Sequence, residues 1–237
     1  MVIEILFGEL CNFFGDSQNE VYLRETLKDT NSVFISTELN SVPYFVSGRP
    51  DLVIMGSMSE KAQRIVIKKL SPYKDRINSL IDSGTGFLMT GNACEVFCKN
   101  IDYVTEKIKA DGLGLFDLEV KTDLFRRING KIIGDFEGNT ITGFRSQFSY
   151  IYGDNTDSYF VNVERGFGIN PDSRFEGFRR NNFIGTQILG PILPLNPDFC
   201  RYYLGLLGTD SIPAFYNEAL EAFDRRVSEF RDTKTKF

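Results

Sequence analysis

Histidine is absent from all 237 residues of this chain. Imidazole is the side chain best suited to proton transfer near neutral pH, and it is a common nitrogen ligand of zinc. Serine–histidine and cysteine–histidine catalysis are therefore excluded within this chain, as is every zinc site that uses imidazole. We expect neither a metal site nor a cofactor.

The sequence also lacks a long hydrophobic run. No stretch reaches the roughly 20 apolar residues that a membrane span requires. The first residues carry no basic charge and include Glu4, so they do not resemble a signal peptide. We therefore expect a cytoplasmic protein with no membrane span, in which the four cysteines are reduced thiols.

Positive charge is not in excess either, because the net charge is −5. Without a basic stripe the chain does not attract nucleic acid, so we expect no such partner. Hydrophobic residues make up 42% and charged residues 25%, which is typical of a globular protein. The length predicts one domain, residues 1–237.

Apolar runs of strand length alternate with segments of helical character in the first hundred residues. Continuous apolar runs bounded by turn residues are typical of buried parallel strands, and we expect them at residues 3–7, 32–36, 52–55 and 86–89. Ser59 is the expected N-cap of a helix within residues 59–83 that Pro72 ends or kinks, and residues 92–98 are expected to open another helix. Strand, helix and strand in this order predict a parallel sheet.

The later part of the chain has a different pattern. Short strand-like pieces at residues 131–133, 140–144 and 159–161 are separated by Gly and Asn turns. They predict antiparallel strands or hairpins attached to the main sheet. Residues 213–230 predict a helix near the C-terminus.

Five segments occur together in one order. They are NFFGDSQN at residues 12–19, LVIMG at 52–56, GLGLFD at 112–117, ITGF at 141–144 and IGTQILGPILPLNP at 184–197. In these segments the chain resembles the class I glutamine amidotransferases related to cobyric acid synthase and to the small subunit of lipid II isoglutaminyl synthase. The resemblance implies an α/β fold, a flavodoxin-like sandwich with a mostly parallel central sheet and added antiparallel strands.

Both reacting positions of that family carry other residues here. The family's cysteine nucleophile sits on a turn between a strand and a helix, and Thr90 falls on its position. The family's histidine base falls on Leu189. A threonine hydroxyl is a poor nucleophile without a base, so the resemblance implies a degenerate glutaminase site. Two interpretations of Thr90 stay open: a nucleophile of changed chemistry, or the remnant of the turn.

The rest of the former substrate pocket can be placed by the same resemblance. It implies Gly56, Ser57 and Met58 in the loop that helps to hold the oxyanion, and Gly91 in the turn. Gln147 falls in the segment after Gly143. Arg127 is nearer than Arg126 to the spacing of the arginine that meets the glutamine carboxylate, although a solvated strand end explains either arginine equally well.

Cys94 and Cys98 are four residues apart, which places both on one face of the expected helix. They are either a displaced nucleophile or two metal ligands, or else two small buried thiols.

We therefore expect a glutamine amidotransferase-like subunit without glutaminase activity, whose partner is a Mur-ligase-like or other ATP-dependent ligase. The alternative is an enzyme or small-molecule binder with changed chemistry in the former glutaminase pocket.

Overall fold

A computed structural model describes residues 1–189 and 191–236 of the chain. Its strands are β1 (Val2–Leu6), β2 (Val33–Thr37), β3 (Leu52–Met55), β4 (Gly86–Thr90), β5 (Asn100–Tyr103), β6 (Ile108–Asp111), β7 (Glu119–Thr122), β8 (Ile128–Phe136), β9 (Asn139–Gln147), β10 (Ser149–Tyr152), β11 (Val161–Arg165), β12 (Phe175–Glu176), β13 (Phe178–Arg180) and β14 (Phe183–Thr186). Its α-helices are α1 (Ser17–Thr26), α2 (Glu60–Leu70), α3 (Lys74–Asp82), α4 (Ile192–Leu195), α5 (Pro197–Leu206) and α6 (Tyr216–Arg231).

The described residues form a central six-stranded sheet in the order β13-β14-β4-β3-β1-β2. All neighbours in it are parallel except β13, which is antiparallel to β14. The four strands expected from apolar runs are β1 to β4. The expected fold, a mostly parallel sheet with antiparallel additions, is confirmed.

Helices cover both faces of this sheet. Because side chains alternate along a strand, neighbouring residues of β3 enter different cores. Val53 packs in one apolar cluster with Val66 of α2. Ile54 packs in the other with Leu23 of α1 and Phe199 of α5. The result is a three-layer sandwich whose strand ends converge at one edge.

Three helix boundaries follow from local chemistry. The hydroxyl of Ser59 accepts a hydrogen bond from the N–H of Ala62 at 3.2 Å, so Ser59 caps α2 as expected. Pro72 lies in a short 3₁₀ turn, Ser71–Tyr73, that separates α2 from α3. The C-terminal helix begins at Tyr216, three residues later than expected, because Phe215 adopts a left-handed conformation there.

Two expectations about the middle of the chain are wrong. Most of the antiparallel strands do not join the main sheet: they form two further four-stranded sheets, β10-β7-β5-β6 and β12-β11-β8-β9. Residues 159–160 precede β11 instead of belonging to it. An isolated bridge joins Phe144 of β9 to Leu189, three residues after β14, and the added strands do not widen the main sheet.

The helix expected at residues 92–98 is also different. The segment Gly91–Phe97 is a 3₁₀ helix, and Cys98 after it is extended. The chain then enters β5 at once, so a full α-helix has no room here.

Candidate functional site

The turn after β4 is built on Gly91. Thr90, the last residue of the strand, has ordinary extended angles, φ −104° and ψ 150°. Gly91 has φ +58°, and a Cβ placed on it would lie 2.6 Å from Cβ of Ser57. The backbone strain of the turn therefore falls on a glycine, which tolerates it, and not on the β-branched threonine before it.

The hydroxyl of Thr90 is committed to a buried carboxyl group. Thr90 Oγ1 donates to Asp16 Oδ1 at 2.7 Å, and Ser57 Oγ donates to Asp16 Oδ2 at 2.5 Å. Thr90 is fully buried and Asp16 almost so. This cluster ties the turn after β4 to the loop after β3 and to the segment before α1.

A cavity of about 80 Å³ lies beside this cluster, at the edge where the strands of the main sheet end. Ligand pockets are usually roughly 300–1,000 Å³, so this cavity suits only a small molecule. Its lining combines aromatic and polar side chains: Phe13, Phe14, Ser57, Met58, Glu60, Gly91, Asn92, Glu95, Thr122, Ser146, Gln147, Phe148, Ser149, Gln187 and Leu189. Thr90 is not among the lining residues.

Leu189 stands next to the turn. Thr186 on β14 is the register partner of Thr90 on β4, and Leu189 follows three residues later. A Cβ on Gly91 would lie 3.1 Å from Leu189 Cδ2. The fold therefore brings Leu189 against the turn that follows Thr90, and the apolar side chain of Leu189 offers no proton acceptor there.

The loop after β3 is closed by Asn92. Asn92 Oδ1 accepts from the N–H of Met58 at 2.9 Å, and Asn92 Nδ2 donates to the carbonyl oxygen of Met58 at 2.7 Å. An oxyanion site needs backbone N–H groups that are free to bind the developing charge. The N–H of Met58 is already bonded, and the Met58 side chain lines the cavity as well.

The remaining expected pocket residues divide into two groups. Ser57, Met58, Gly91 and Gln147 line the cavity. Gly56 lies behind it, where a Cβ would be 2.3 Å from Cβ of Asp16. Arg127 also lies outside: its Nε and Nη2 donate to the hydroxyl of Ser146 at 3.0 and 2.8 Å. Arg127 therefore supports a lining residue without lining the cavity itself.

A polar network forms the floor of the cavity around Glu95. Ser149 Oγ and Gln187 Nε2 donate to Glu95 Oε1, the latter at 3.2 Å, and Gln63 Nε2 donates to Oε2 at 2.9 Å. Gln63 Oε1 in turn accepts from the Tyr103 hydroxyl at 2.8 Å. Burial raises the pKa of Glu95 to about 7, although the three hydrogen bonds oppose that rise.

Cys94 and Cys98 do not face the cavity. Both are fully buried free thiols in the apolar cluster on the α2 side of the sheet. Burial raises the pKa of each thiol well above its ordinary value, which disfavours a reactive thiolate.

Several site residues were not identified from the sequence. Asp16 and Gln187 lie inside the family segments, and Asn92 falls where the family has a glycine, so their places in those segments are the signal that could identify them. Glu95 carried a weaker one, a single acid within an otherwise uncharged stretch after β4. Ser149 carried none, since its strand pairs with β7 and not with the main sheet.

Comparison with known proteins agrees with this fold. No family model matches the sequence. The chain is 27% identical over 205 residues to the lipid II isoglutaminyl synthase (glutamine-hydrolyzing) subunit GatD of Staphylococcus aureus (strain N315), covering 86% of this chain and 83% of that protein. The expected resemblance to that subunit is confirmed.

Two solved structures from Thermotoga maritima share the fold. PurLQS superposes with a TM-score of 0.50 and 10% identity, covering 95% of this chain and 98% of that one. A glutamine amidotransferase superposes with a TM-score of 0.51 and 12% identity, covering 96% and 91%. In the described part of the chain, no helix is long and apolar enough to cross a membrane.

Proposed function

We propose that this chain is a glutamine amidotransferase-like subunit that does not hydrolyse glutamine and that binds an ATP-dependent ligase. The observation that carries the first half is the pair of reacting positions. The hydroxyl of Thr90 is buried against Asp16, Leu189 stands where a base would be needed, and no histidine exists elsewhere in the chain to replace it. Acyl transfer from glutamine needs an activated nucleophile that reaches the substrate, and neither side chain supplies one.

The neighbouring loop supports the same proposal independently. Even with a nucleophile in place, the tetrahedral intermediate would need donors for its oxyanion. Asn92 already holds the N–H of Met58, and the Met58 side chain takes space that a hydrophilic substrate would need. Hydrolysis would therefore have to overcome changes at three separate places.

The partner half of the proposal rests on the relative. The Staphylococcus aureus protein is named as one subunit of a synthase, so it works with another chain. We propose a Mur-type or other ATP-dependent ligase as the partner of this chain too, which would then use free ammonia or take the subunit as a structural piece. A cytoplasmic location belongs to the same proposal and is supported by four free, buried thiols.

The test is ammonia release from glutamine by the purified chain, measured beside the glutamine-hydrolyzing relative as a positive control. We expect no release above the protein-free rate, and Thr90→Ala and Cys94→Ala to change nothing. Release that Thr90→Ala abolishes would make Thr90 a nucleophile of changed chemistry, and release that Cys94→Ala abolishes would make Cys94 a displaced one. The partner is tested by purification of the tagged chain from its native cell, where a ligase-like chain should accompany it in a fixed ratio.

A second candidate function, an enzyme or small-molecule binder with changed chemistry in the former glutaminase pocket, is supported by the cavity itself. A glutaminase pocket that had merely decayed has no need for an enclosed polar floor, whereas a small-molecule binder does.

A further inference from the structure

Acidic side chains line the cavity beside the turn after β4, and Arg127 contacts two of its other lining residues, Ser146 and Phe148, from outside. Glu60 and Glu95 are both among its lining residues, and none of the described lining residues is a lysine or an arginine. A buried carboxylate is costly unless hydrogen bonds and a positive charge stabilise it. Arg145, a fully buried cation, is already used by Glu176 at 3.3 Å.

Glu95 shows this imbalance most clearly. It is 1% exposed, and the groups bonded to it, on Ser149, Gln187 and Gln63, are all neutral donors. Three neutral hydrogen bonds favour the ionised form but do not neutralise it.

Gln147 adds an acceptor that nothing in the described chain satisfies. Its Nε2 donates to the carbonyl oxygen of Ser149 at 2.6 Å and to Gln187 Oε1 at 3.1 Å. This fixes the amide so that Oε1, which is buried, is left without a donor. Gln147 is 8% exposed and lines the cavity. A buried acceptor left unpaired is unfavourable, so a hydrogen-bond donor in the cavity would be stabilised.

The hydroxyl of Thr122 is in the same condition. It is buried, lines the cavity and has no hydrogen-bond partner within the residues described. Phe13, Phe14 and Phe148 also line the cavity, and the guanidinium of Arg127 already lies 5.9 Å from the centroid of the Phe148 ring. Aromatic faces attract cations. Acceptors, carboxyl groups and aromatic rings together select a positively charged donor of small size.

We propose that this cavity binds a small primary ammonium ion, held by Glu95 and by the unpaired amide oxygen of Gln147. The inference rests on the proposed function, because only a pocket released from glutamine hydrolysis is free for another ligand. The ligand belongs to the class of ammonium compounds. Either a free amine or the end of a larger molecule that reaches into the cavity supplies the ammonium group.

Binding of an ammonium ion should become tighter as the pH rises. Burial raises the pKa of Glu95 to about 7, so its carboxyl is half protonated near neutral pH, and an ammonium ion favours the ionised form. Glu60 on α2 is the other carboxyl that acts on it. Cys94 and Cys98 beside it, and Tyr103 on β5, stay neutral because burial raises the pKa of each. Ser149, Gln187 and Gln63 do not titrate.

The test is calorimetric titration of the full chain with methylammonium chloride, with sodium chloride at equal ionic strength as the salt control and acetamide as the neutral donor. We expect saturable binding that is about tenfold tighter at pH 8 than at pH 6, because only the ionised fraction of Glu95 binds. At pH 7 binding should release about half a proton, visible as a dependence of the heat on the buffer.

Three variants make the test decisive. Glu95→Gln should abolish methylammonium binding together with its pH dependence, and Gln147→Leu should weaken binding without changing the pH dependence. Glu164→Gln is the matched control, because this carboxyl is exposed and pairs with Arg231 away from the cavity. Circular dichroism checks each fold. If Glu95→Gln does not fold, Gln147→Leu and the pH profile of the unchanged chain decide.

Heats no greater than those of sodium chloride at pH 8 would overturn the inference. So would binding that survives Glu95→Gln, or acetamide binding as tight as that of methylammonium. The failures are separable, since ammonia release from glutamine overturns the proposed function, whereas absent methylammonium binding in a chain without glutaminase activity overturns this inference alone.

Discussion

At the scale of single residues, Thr90 is held by one hydrogen bond to a buried carboxyl group. Its hydroxyl donates to Asp16 at 2.7 Å, and the side chain is fully buried. A nucleophile must be exposed to its substrate, whereas a structural hydroxyl needs only its partner. The two interpretations of Thr90 therefore differ in what its removal should do.

We predict that Thr90→Val lowers the free energy of unfolding by about 1–3 kcal/mol, because the nearly isosteric change leaves Asp16 Oδ1 buried without its donor. Thr90→Ser keeps the hydroxyl and should lose less. Urea unfolding of the three proteins measures the difference. A Thr90→Val protein as stable as the unchanged chain would contradict a structural role for this hydroxyl.

At the scale of elements, the turn from β4 into the following 3₁₀ helix positions the whole site. It brings Gly91 against Ser57 of the loop after β3 and against Leu189 after β14. Three strand ends thus meet at one glycine. Because β4 lies between β3 and β14 in the sheet, this convergence follows from the strand order.

Gly91→Ala should destabilise the protein more than Gly138→Ala. Both glycines have positive φ, +58° and +82°, so both changes carry the left-handed penalty of about 1–2 kcal/mol. A Cβ at position 91 also meets Ser57 at 2.6 Å, whereas nothing lies within 4 Å of one at position 138. We expect the clash to add about 1–3 kcal/mol.

Thermal unfolding of the two variants side by side measures that added cost. Equal melting temperatures would mean that the loop after β3 moves aside without cost. The close packing at Gly91 would then contribute nothing to the free energy of unfolding.

At the scale of the whole molecule, the Glu95 network joins separately formed layers. Gln63 belongs to α2, which covers the main sheet, while Tyr103 and Ser149 belong to β5 and β10 of the second sheet. A single carboxyl group therefore connects the main sheet, its helix and the added strands. Its protonation state affects the stability of the entire fold.

The stability of the protein should fall as pH rises from 4.5 to 7 through this group. The pKa of Glu95 is raised from 4.5 to about 7 in the folded state, so the folded chain binds more protons than the unfolded chain in that window. The stabilisation is complete below the unfolded pKa and is lost as pH rises through the folded pKa. The contribution is on the order of 3 kcal/mol.

Glu95→Gln removes this contribution, so the difference in unfolding free energy between the variant and the unchanged chain should vary with pH between 4.5 and 7 and level off above. Burial also raises the pKa of Glu4 and Glu176, but these groups are present in both proteins and cancel in the difference. A difference that does not change with pH would show that Glu95 does not titrate in this range.

The parallel strands and the capped helix α2 could be predicted from the sequence alone. A continuous apolar run predicts a strand that is buried on both faces of a sheet, and a serine before an amphipathic segment predicts a capped helix. Both signals are local in the sequence. The approach of Leu189 to the turn after Thr90 could be predicted from the family segments. The absence of histidine, a property of composition, decided which chemistry the chain cannot perform.

Only the tertiary structure decided which side chains meet at the site. Asp16, Asn92 and Ser149 come from segments far apart in the chain. Hydrogen bonds between side chains so distant in sequence leave no periodic pattern from which they could be predicted. The expectation that the middle strands attach to the main sheet is wrong because the pairing partner of a short antiparallel strand is set by tertiary contacts and not by its local sequence. Glu95 has an ordinary carboxyl group in the unfolded chain, and its raised pKa arises from the layers that bury it.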